Sequence, residues 1–374
     1  MQTEPVDTPF PIEIDDLRDW VELSYELRLT DGLPVHPPVR EVVDALVAGS
    51  GRAADDVVAV IPPRNGRATV EVVAANAAMA GARPEHMPAI LAALDAMSDP
   101  AHNLRGVVLT THPCWPLVIV SGDEVSRLGM AHAEAVFSGG GNRANVAIGR
   151  AVKLVLWNVG ASFIGEPVKE VLGHPGRLAS CIAESPDSPW EPLHRARGLD
   201  AASGVTVFAC EAPHSVAMWA ADDDPHNRLG QAADAMSIRG SNNTHTMGEV
   251  LVVMTPSEAR HLATMGYGRV DVQRTLFELA RRRIGDIRPR GPLRPDNSPE
   301  HWYSSWPDWV DQSNDDTLVP VVERPGDIHV VVTGADSIPF MAVCPGWGEL
   351  GGFAVTRPIP VPDVPGPGSS EERA

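Results

Sequence analysis

Residues 138–150 join three glycines and two arginines to the start of a predicted helix. The apolar residues Val152, Val155 and Leu156 follow at helical spacing. Backbone N–H groups at a helix start lack intrahelical partners and carry partial positive charge, glycine lets a ligand approach, and arginine adds a forked donor. The segment therefore predicts a site for a carboxylate or a phosphate. The residues expected to form it are Gly140, Gly141, Arg143, Asn145 and Arg150.

A second group of chemically able residues lies between positions 181 and 194, in a stretch interrupted by prolines. It contains the thiol of Cys181, the carboxylates of Glu184 and Glu191, and the imidazole of His194. Irregular segments held by a rigid scaffold often carry function. A thiol beside carboxylates is not activated, because a thiolate needs a positive neighbour. We expect Cys181 and Glu184 to be catalytic candidates and Glu191 to line the same pocket.

Two further groups stand next to predicted strands. Glu211 and His214 follow the strand 205–209, and a carboxylate beside an imidazole can act as an acid–base pair. His112 and Cys114 have a similar position beside a strand and are the candidate metal ligands. No His or Cys spacing of a known metal motif connects these residues, so a metal site depends on their proximity in the fold. A structural histidine is the alternative for each.

Asn242 and Asn243 precede the predicted strand 250–254 and suit either a turn or hydrogen bonding to a polar substrate. The glycines match neither the dinucleotide-binding pattern nor a P-loop, so no nucleotide cofactor is predicted. Trp302, Trp306 and Trp309 have a helical spacing in a polar insertion. They predict a hydrophobic flap over the core, or alternatively a lid or a subunit contact.

The elements that position these groups alternate between short apolar strands and amphipathic helices. This alternation predicts an α/β protein of two lobes, with largely parallel sheets flanked by helices. The expected division is an N-terminal lobe (1–160) that carries the anion-binding helix start, a connecting segment (161–203), a C-terminal lobe (204–357) with the tryptophan-rich insertion (286–316), and a disordered Pro/Gly-rich tail (358–374).

The composition limits the possible partners. The chain has 374 residues, 43% of them hydrophobic, and a formal net charge of −19. Such a charge disfavours nucleic acid and anionic membranes as partners. Only two of the thirty basic residues are lysines, Lys153 and Lys169. Four widely spaced cysteines, an acidic start without a signal-peptide pattern and no long apolar run predict a cytoplasmic protein with reduced thiols.

Several short motifs follow one another along residues 30–358 in the same order as in one protein family. By these motifs the chain resembles the large bacterial proteins described as UGSC-type (seleno)protein or thioredoxin-like. That resemblance implies thiol or selenol chemistry, although this chain contains no UGSC tetrapeptide and has Ala82 where the pattern has Cys. The matching motifs are Asp31-Gly-Leu-Pro, Pro37-Pro38, Thr69-Val-Glu71, Asn76, Met79-Ala-Gly81, Arg143-Ala-Asn145, Ile148-Gly-Arg-Ala151, Ser188-Pro-Trp-Glu-Pro-Leu193, Pro213-His214 and Ser241-Asn-Asn243.

A fainter resemblance links the chain to the lactate racemase family. Asp31-Gly-Leu-Pro and Phe137-Ser-Gly-Gly-Gly are similar in order to motifs of that family. It would imply a nickel-bearing nucleotide and a pair of histidines, and it rests on analogy alone.

The leading functional prediction is an enzyme that acts on a small anionic molecule by acid–base chemistry, as a lyase, hydratase or isomerase. Arg143 and Asn145 would hold the anion, and His214 with Glu211 would move a proton. One alternative is a thiol-dependent oxidoreductase that works with a thiol or selenol partner protein. The other is a non-catalytic subunit of an enzyme complex. A homo-oligomer is compatible with each, and the cofactor stays open.

Overall fold

The structure is a computed structural model that describes residues 16–219, 222–287 and 306–360. Its helices are α1 (Leu17–Glu26), α2 (Arg40–Gly49), α3 (Val70–Met79), α4 (Met87–Met97), α5 (Leu104–Leu109), α6 (Asp123–Arg127), α7 (Arg143–Asn158), α8 (Leu193–Ala196), α9 (Pro225–Met236), α10 (Asn242–Thr246), α11 (Pro256–Thr264), α12 (Arg269–Leu279) and α13 (Ile284–Ile287). Its strands are β1 (Val57–Ile61), β2 (Gly66–Thr69), β3 (Trp115–Gly122), β4 (Cys181–Ala183), β5 (Ser203–Cys210), β6 (His214–Ala217), β7 (Val250–Met254), β8 (Arg281–Arg283), β9 (Leu318–Pro320), β10 (Ile328–Val332), β11 (Phe340–Pro345) and β12 (Val355–Pro358).

Two four-stranded sheets form the centre of the molecule. The first has the order β12-β5-β3-β4 and the second has the order β10-β7-β11-β6. Only β3 with β4 and β10 with β7 pair in parallel, and the other pairs in these sheets are antiparallel. The predicted α/β class is confirmed. The sheets, however, are mixed rather than largely parallel.

Alternating residues of the strands divide the core into layers. On β3, Val118 and Val120 belong to a buried cluster that also contains residues of the helices α2, α3, α4 and α7. Leu117 and Ile119 point the other way and meet Leu251 of the second sheet. The second sheet is covered on its far side by α9, α11 and α12. The arrangement is therefore helix, sheet, sheet, helix, with apolar side chains filling all three spaces between layers.

This layering explains the error about strand direction. A strand that is covered on both faces reads as a continuous apolar run, which is typical of parallel sheets. Here β5 is buried along its whole length, yet it pairs antiparallel with β3. Both of its faces are covered because a second sheet lies where a parallel α/β protein would place helices. The predicted two lobes are not confirmed, because no clear boundary separates them. The first sheet contains strands from residues 115–358 and shares a core with the second sheet.

The tryptophan-rich insertion is described only in part. Trp302 lies outside the described residues. Trp306 is buried with Ile284 and Val310, as expected for a flap over a small core, whereas Trp309 is 59% exposed. Most of the predicted tail, residues 361–374, also lies outside the described residues. None of the helices in the described ranges has the length and apolar character needed to cross a membrane.

Candidate functional site

The glycine–arginine segment (residues 138–150) forms a tight turn into α7. Gly139, Gly140 and Gly141 all have positive φ angles, a conformation that favours glycine. The side chain of Asn142 then caps α7 and accepts hydrogen bonds from the N–H groups of Ala144 at 2.8 Å and residue 145 at 3.4 Å. The free N–H groups on which the predicted anion site depended are thus partly occupied by the chain itself.

The polar side chains of this segment also have partners within the fold. Asn145 is fully buried and exchanges two hydrogen bonds of 2.9 Å with the backbone of Ala131. Arg143 donates to the carbonyl of Gly81 at 2.8 Å. Arg150 pairs with the fully buried carboxylate of Asp31 at 2.9 Å and also donates to two carbonyl groups of the same loop. These contacts hold the N-terminal loops against α7.

The predicted group at residues 181–194 is mostly internal. Cys181 is buried at the start of β4, and burial raises the pKa of its thiol. Glu184 is buried as well, accepting from the N–H of Leu193 at 2.6 Å and pairing with Arg269 at 3.2 Å. Burial raises the pKa of Glu184, against the opposing effect of Arg269. Glu191 has an exposed side chain and accepts from Arg269 through its backbone carbonyl.

The other cysteines are no more accessible. Cys114, Cys210 and Cys344 are between 0% and 4% exposed. Burial raises the pKa of Cys114, and contact with Cys344 together with burial raises that of Cys210. A thiol must lose its proton to act as a nucleophile or a metal ligand. The environments of Cys114, Cys181 and Cys210 therefore favour the unreactive, protonated thiol.

The predicted acid–base pair has a different partner. His214 lies exposed on β6. Glu211 instead approaches His112, whose Nε2 lies 3.0 Å from Glu211 Oε1, and both side chains are about one quarter exposed (22% and 28%). The two atoms lie within hydrogen-bond distance, but the angles are not those of a regular hydrogen bond. This pair exists because β3 and β5 are antiparallel, so the residues before β3 lie beside the residues after β5, with Trp115 opposite Cys210.

A loop of residues 161–178, which we call the covering loop, closes over this edge of the first sheet. The N–H of Val171 donates to the carbonyl of Thr111 at 3.1 Å, which joins the loop to the His112 segment. Arg177 forms an ion pair with Glu170, and its guanidinium carbon lies 4.2 Å from the centre of the Trp115 ring. Burial lowers the pKa of Arg177 to about 10.

Unpartnered polar atoms are concentrated beneath the covering loop. Twelve buried side-chain nitrogen or oxygen atoms of the described residues lack a hydrogen-bond partner, and six of them belong to this loop or to His112. Buried polar groups are normally satisfied by protein, water or ligand. These atoms therefore have unused capacity to bind water or a ligand. The six atoms are His112 Nε2, Ser162 Oγ, Glu170 Oε1, His174 Nδ1, His174 Nε2 and Arg177 Nε.

A buried lysine belongs to the same region. Lys153, on α7, is 3% exposed, and its Nζ lies 4.8 Å from the ring centres of both Trp115 and Trp157. Burial and the neighbouring charge of Arg177 lower the pKa of Lys153 to about 7, with Asp31 acting in the opposite direction. Burial likewise lowers the pKa of His174, and the carboxylate of Glu211 opposes that shift. We call His112, Lys153, Glu170, His174, Arg177 and Glu211 the covered cluster.

A second polar group lies at the far side of the two sheets. His329 approaches Glu249 at 2.8 Å and Arg197 at 3.2 Å. Arg197 and His329 line a cavity of about 320 Å³ together with Arg269. Arg197 is bound on each of its three nitrogens, and Glu249 also accepts from the N–H of Ala354 at 2.6 Å. Most of these groups have partners, although His329 Nε2 and Arg269 Nε also lack a regular hydrogen bond.

Asn242 and Asn243 both serve the fold. The amide of Asn242 donates to the carbonyl of Trp347 at 2.8 Å. Asn243 is fully buried, donates to the carbonyls of Met247 and Glu249, and accepts from the N–H of Gly346. The Asn243 amide is thus occupied on both its nitrogen and its oxygen, and Asn242 uses its nitrogen for the fold.

The sequence predicts three residues of this edge as site candidates, His112, Cys114 and Glu211, but it pairs Glu211 with His214. It missed the roles of His174, Arg177 and Lys153. The scarcity of lysine was a usable signal for Lys153, whereas nothing in the spacing marked His174 or Arg177.

No group of three or more His, Cys, Asp or Glu side chains within residues 16–219, 222–287 and 306–360 is arranged to hold a metal ion. No protein-family model, no curated protein and no solved structure matches the chain. The resemblances given above therefore remain predictions, and the geometry of the covered cluster is the basis for a functional proposal.

Proposed function

We propose that the protein is an enzyme that moves a proton on a small anionic molecule bound beneath the covering loop. The reaction class is elimination, addition or isomerisation. The observation that carries this proposal is the contact of 3.0 Å between His112 and Glu211, at a partly exposed position bordered by buried polar atoms without partners. A histidine oriented by a carboxylate is a common general base.

The contact assigns a role to each nitrogen of the imidazole. Nε2 faces Glu211, so a proton on Nε2 is held by the carboxylate. Nδ1 then carries the lone pair and can accept a proton from a substrate carbon or water. Small rotations bring such pairs into alignment when a substrate binds, as is usual for catalytic contacts.

Arg177 supplies the positive charge for an anionic substrate. Arg177 is buried beside His174, pairs with Glu170, and keeps one N–H group unsatisfied. In a protein with a net charge of −19, a buried guanidinium with an unsatisfied N–H group favours a ligand that brings negative charge. Carboxylate is a suitable ligand group because its oxygens can accept from the Nε–H of Arg177.

Solvent-deuterium exchange tests the proposal without knowledge of the product. The purified protein is incubated in D₂O with pools of 2-hydroxy, 3-hydroxy and 2-oxo acids, and the loss of C–H signals is followed by proton NMR. We expect exchange with at least one acid. His112→Gln and Glu211→Gln should slow it by about 100-fold or more, the usual contribution of general acid–base catalysis.

His214→Gln is the matched control, because it removes the same side chain from an exposed position on β6 and should leave the rate unchanged. Equal rates in His112→Gln and the wild type, or a loss of exchange in His214→Gln alone, would refute the assignment to the covered cluster.

A further inference from the structure

Lys153 stands out in a chain that uses arginine almost everywhere else. Lys153 and Lys169 are the two lysines among thirty basic residues. Lys169 is exposed on the covering loop, whereas Lys153 is buried on α7. An arginine at this position would stay charged at any physiological pH, and only a lysine can present a neutral amine.

The surroundings of Lys153 favour that neutral amine. Its Nζ lies between two indole rings, and none of the carboxylates in the described residues forms an ion pair with it. Arg177 contacts the same Trp115 ring and adds a repelling positive charge. Desolvation together with a second cation is a known way to convert a lysine into a nucleophile. The pKa of about 7 given above agrees with this geometry.

From these contacts we propose that Lys153 forms an imine with an anionic carbonyl compound, an aldehyde acid or a 2-oxo acid. The lone pair of Nζ attacks the carbonyl carbon, and one proton from Nζ and one from the solvent pass to the carbonyl oxygen, which leaves as water. The carbon–nitrogen double bond that forms belongs to a protonated imine. The protonated imine is a cation that the two indole faces can stabilise. Arg177 is placed to bind the carboxylate of the same molecule.

This inference narrows the substrate class of the proposed function and rests on it for the site, but it does not require the His112–Glu211 pair. An imine on Lys153 makes the neighbouring carbon of the substrate more acidic, which is the chemistry that a histidine base would use. Trapping at Lys153 and proton exchange through His112 can therefore fail separately.

Reductive trapping is the direct experiment. The intact protein is incubated with glyoxylate and sodium cyanoborohydride near pH 7.5, and peptides are mapped by mass spectrometry. A reduced imine leaves a carboxymethyl group on the lysine nitrogen. We expect labelling of Lys153 to exceed that of the exposed Lys169 by about tenfold or more, because roughly 0.1% of an ordinary lysine is neutral at this pH.

Lys153→Arg should abolish the specific label, and Lys169→Arg should leave it unchanged. Labelling of Lys169 as fast as Lys153, or labelling of Lys153 only in urea, would overturn the proposal. Pyruvate repeats the test for a ketone.

The pH dependence of stability gives a second measurement that needs no ligand. The unfolded lysine keeps its proton up to about pH 10.5, whereas the folded one loses it above about pH 7. The unfolded state therefore binds more protons in this range, and stability should rise with pH. Relative to Lys153→Met, the urea midpoint of the wild type should increase from pH 6.5 to pH 8.5. A constant difference would contradict a neutral amine.

Discussion

Arg150 and Arg177 show, at the scale of single residues, how partners inside the fold separate two uses of the same side chain. Arg150 pairs with a buried carboxylate and two carbonyl groups, so it holds the structure together. Arg177 is equally hidden but keeps an unsatisfied N–H group among other unsatisfied atoms. The amino-acid sequence alone does not distinguish the two arginines. Only the tertiary contacts reveal which one has capacity for a ligand.

The pair of Arg150 and Asp31 should be costly to break. Arg150→Met leaves the carboxylate of Asp31 buried without a counter-charge, and we expect a loss of about 3–5 kcal/mol in the free energy of unfolding. Urea unfolding at neutral pH measures it.

The double variant Asp31→Asn with Arg150→Met tests the same pair. It should lose less than the sum of the single variants, because the second change removes the unpaired charge. Strict additivity would show that the two groups act independently. If Arg150→Met also left deuterium exchange intact, that result would support a structural rather than a substrate-binding role.

Two site candidates could be placed from the sequence because they stand beside predicted strands. His112 and Glu211 were both named because each stands beside a strand, and the structure brings them together. Their partnership required the antiparallel register of β3 and β5, which a one-dimensional pattern does not contain. The same limit explains why Asn145 was assigned to a ligand although it serves the backbone of Ala131.

At the scale of elements, local rules worked best where capping chemistry fixes a helix start. The sequence predicts Thr69 as the cap of α3, and its side chain accepts from the N–H of Val72 at 3.3 Å. The apolar run 106–111 predicts a strand, but the structure has the helix α5 over Leu104–Leu109. Asn103 caps α5 by accepting from the N–H of Gly106. This cap is formed within the segment itself and outweighs the β propensity of its valines.

The cap of α7 provides a prediction at this scale. Asn142→Ala removes the acceptor for two helix N–H groups and the donor to the carbonyl of Gly129. We expect a loss of about 1–2 kcal/mol in the free energy of unfolding by urea.

Thr69→Ala is the comparison, since it removes a single, longer cap bond and should cost less. An equal or larger loss in Thr69→Ala would mean that the turn at Asn142 is held mainly by its glycines. A bound phosphate that stabilised Asn142→Ala but not the wild type would instead indicate a latent anion site at this helix start.

At the scale of the whole molecule, the four layers depend on the contact between the two sheets. Phe208, 1% exposed, lies in that contact with residues of both sheets. We expect Phe208→Ala to lower the free energy of unfolding by about 3–5 kcal/mol, as for other buried phenylalanines. The transition should stay single and cooperative, because the sheets share one core.

Phe340→Ala is the matched control, because this ring is 38% exposed at the end of β11 and its loss should cost far less. Two separate transitions in Phe208→Ala, monitored by tryptophan fluorescence and circular dichroism, would show that each sheet with its helices folds alone. That result would show two separately folding parts in place of one cooperative unit.

The fold class followed from the alternation of helices and strands, but the layering did not. A second sheet and a layer of helices bury a strand equally well, so the apolar runs were read as parallel strands covered by helices. The difference lies in pairing between distant segments, such as β12 with β5, which no local pattern encodes.

The four buried cysteines can serve as natural probes of local opening in this protein. Cys181 lies between the helices and the first sheet, Cys210 and Cys344 between the two sheets, and Cys114 in a small cluster with Trp347. A sulfhydryl reagent can reach each one only when that region opens. The order in which the four sites become modified would therefore report which interface separates first, without any introduced label.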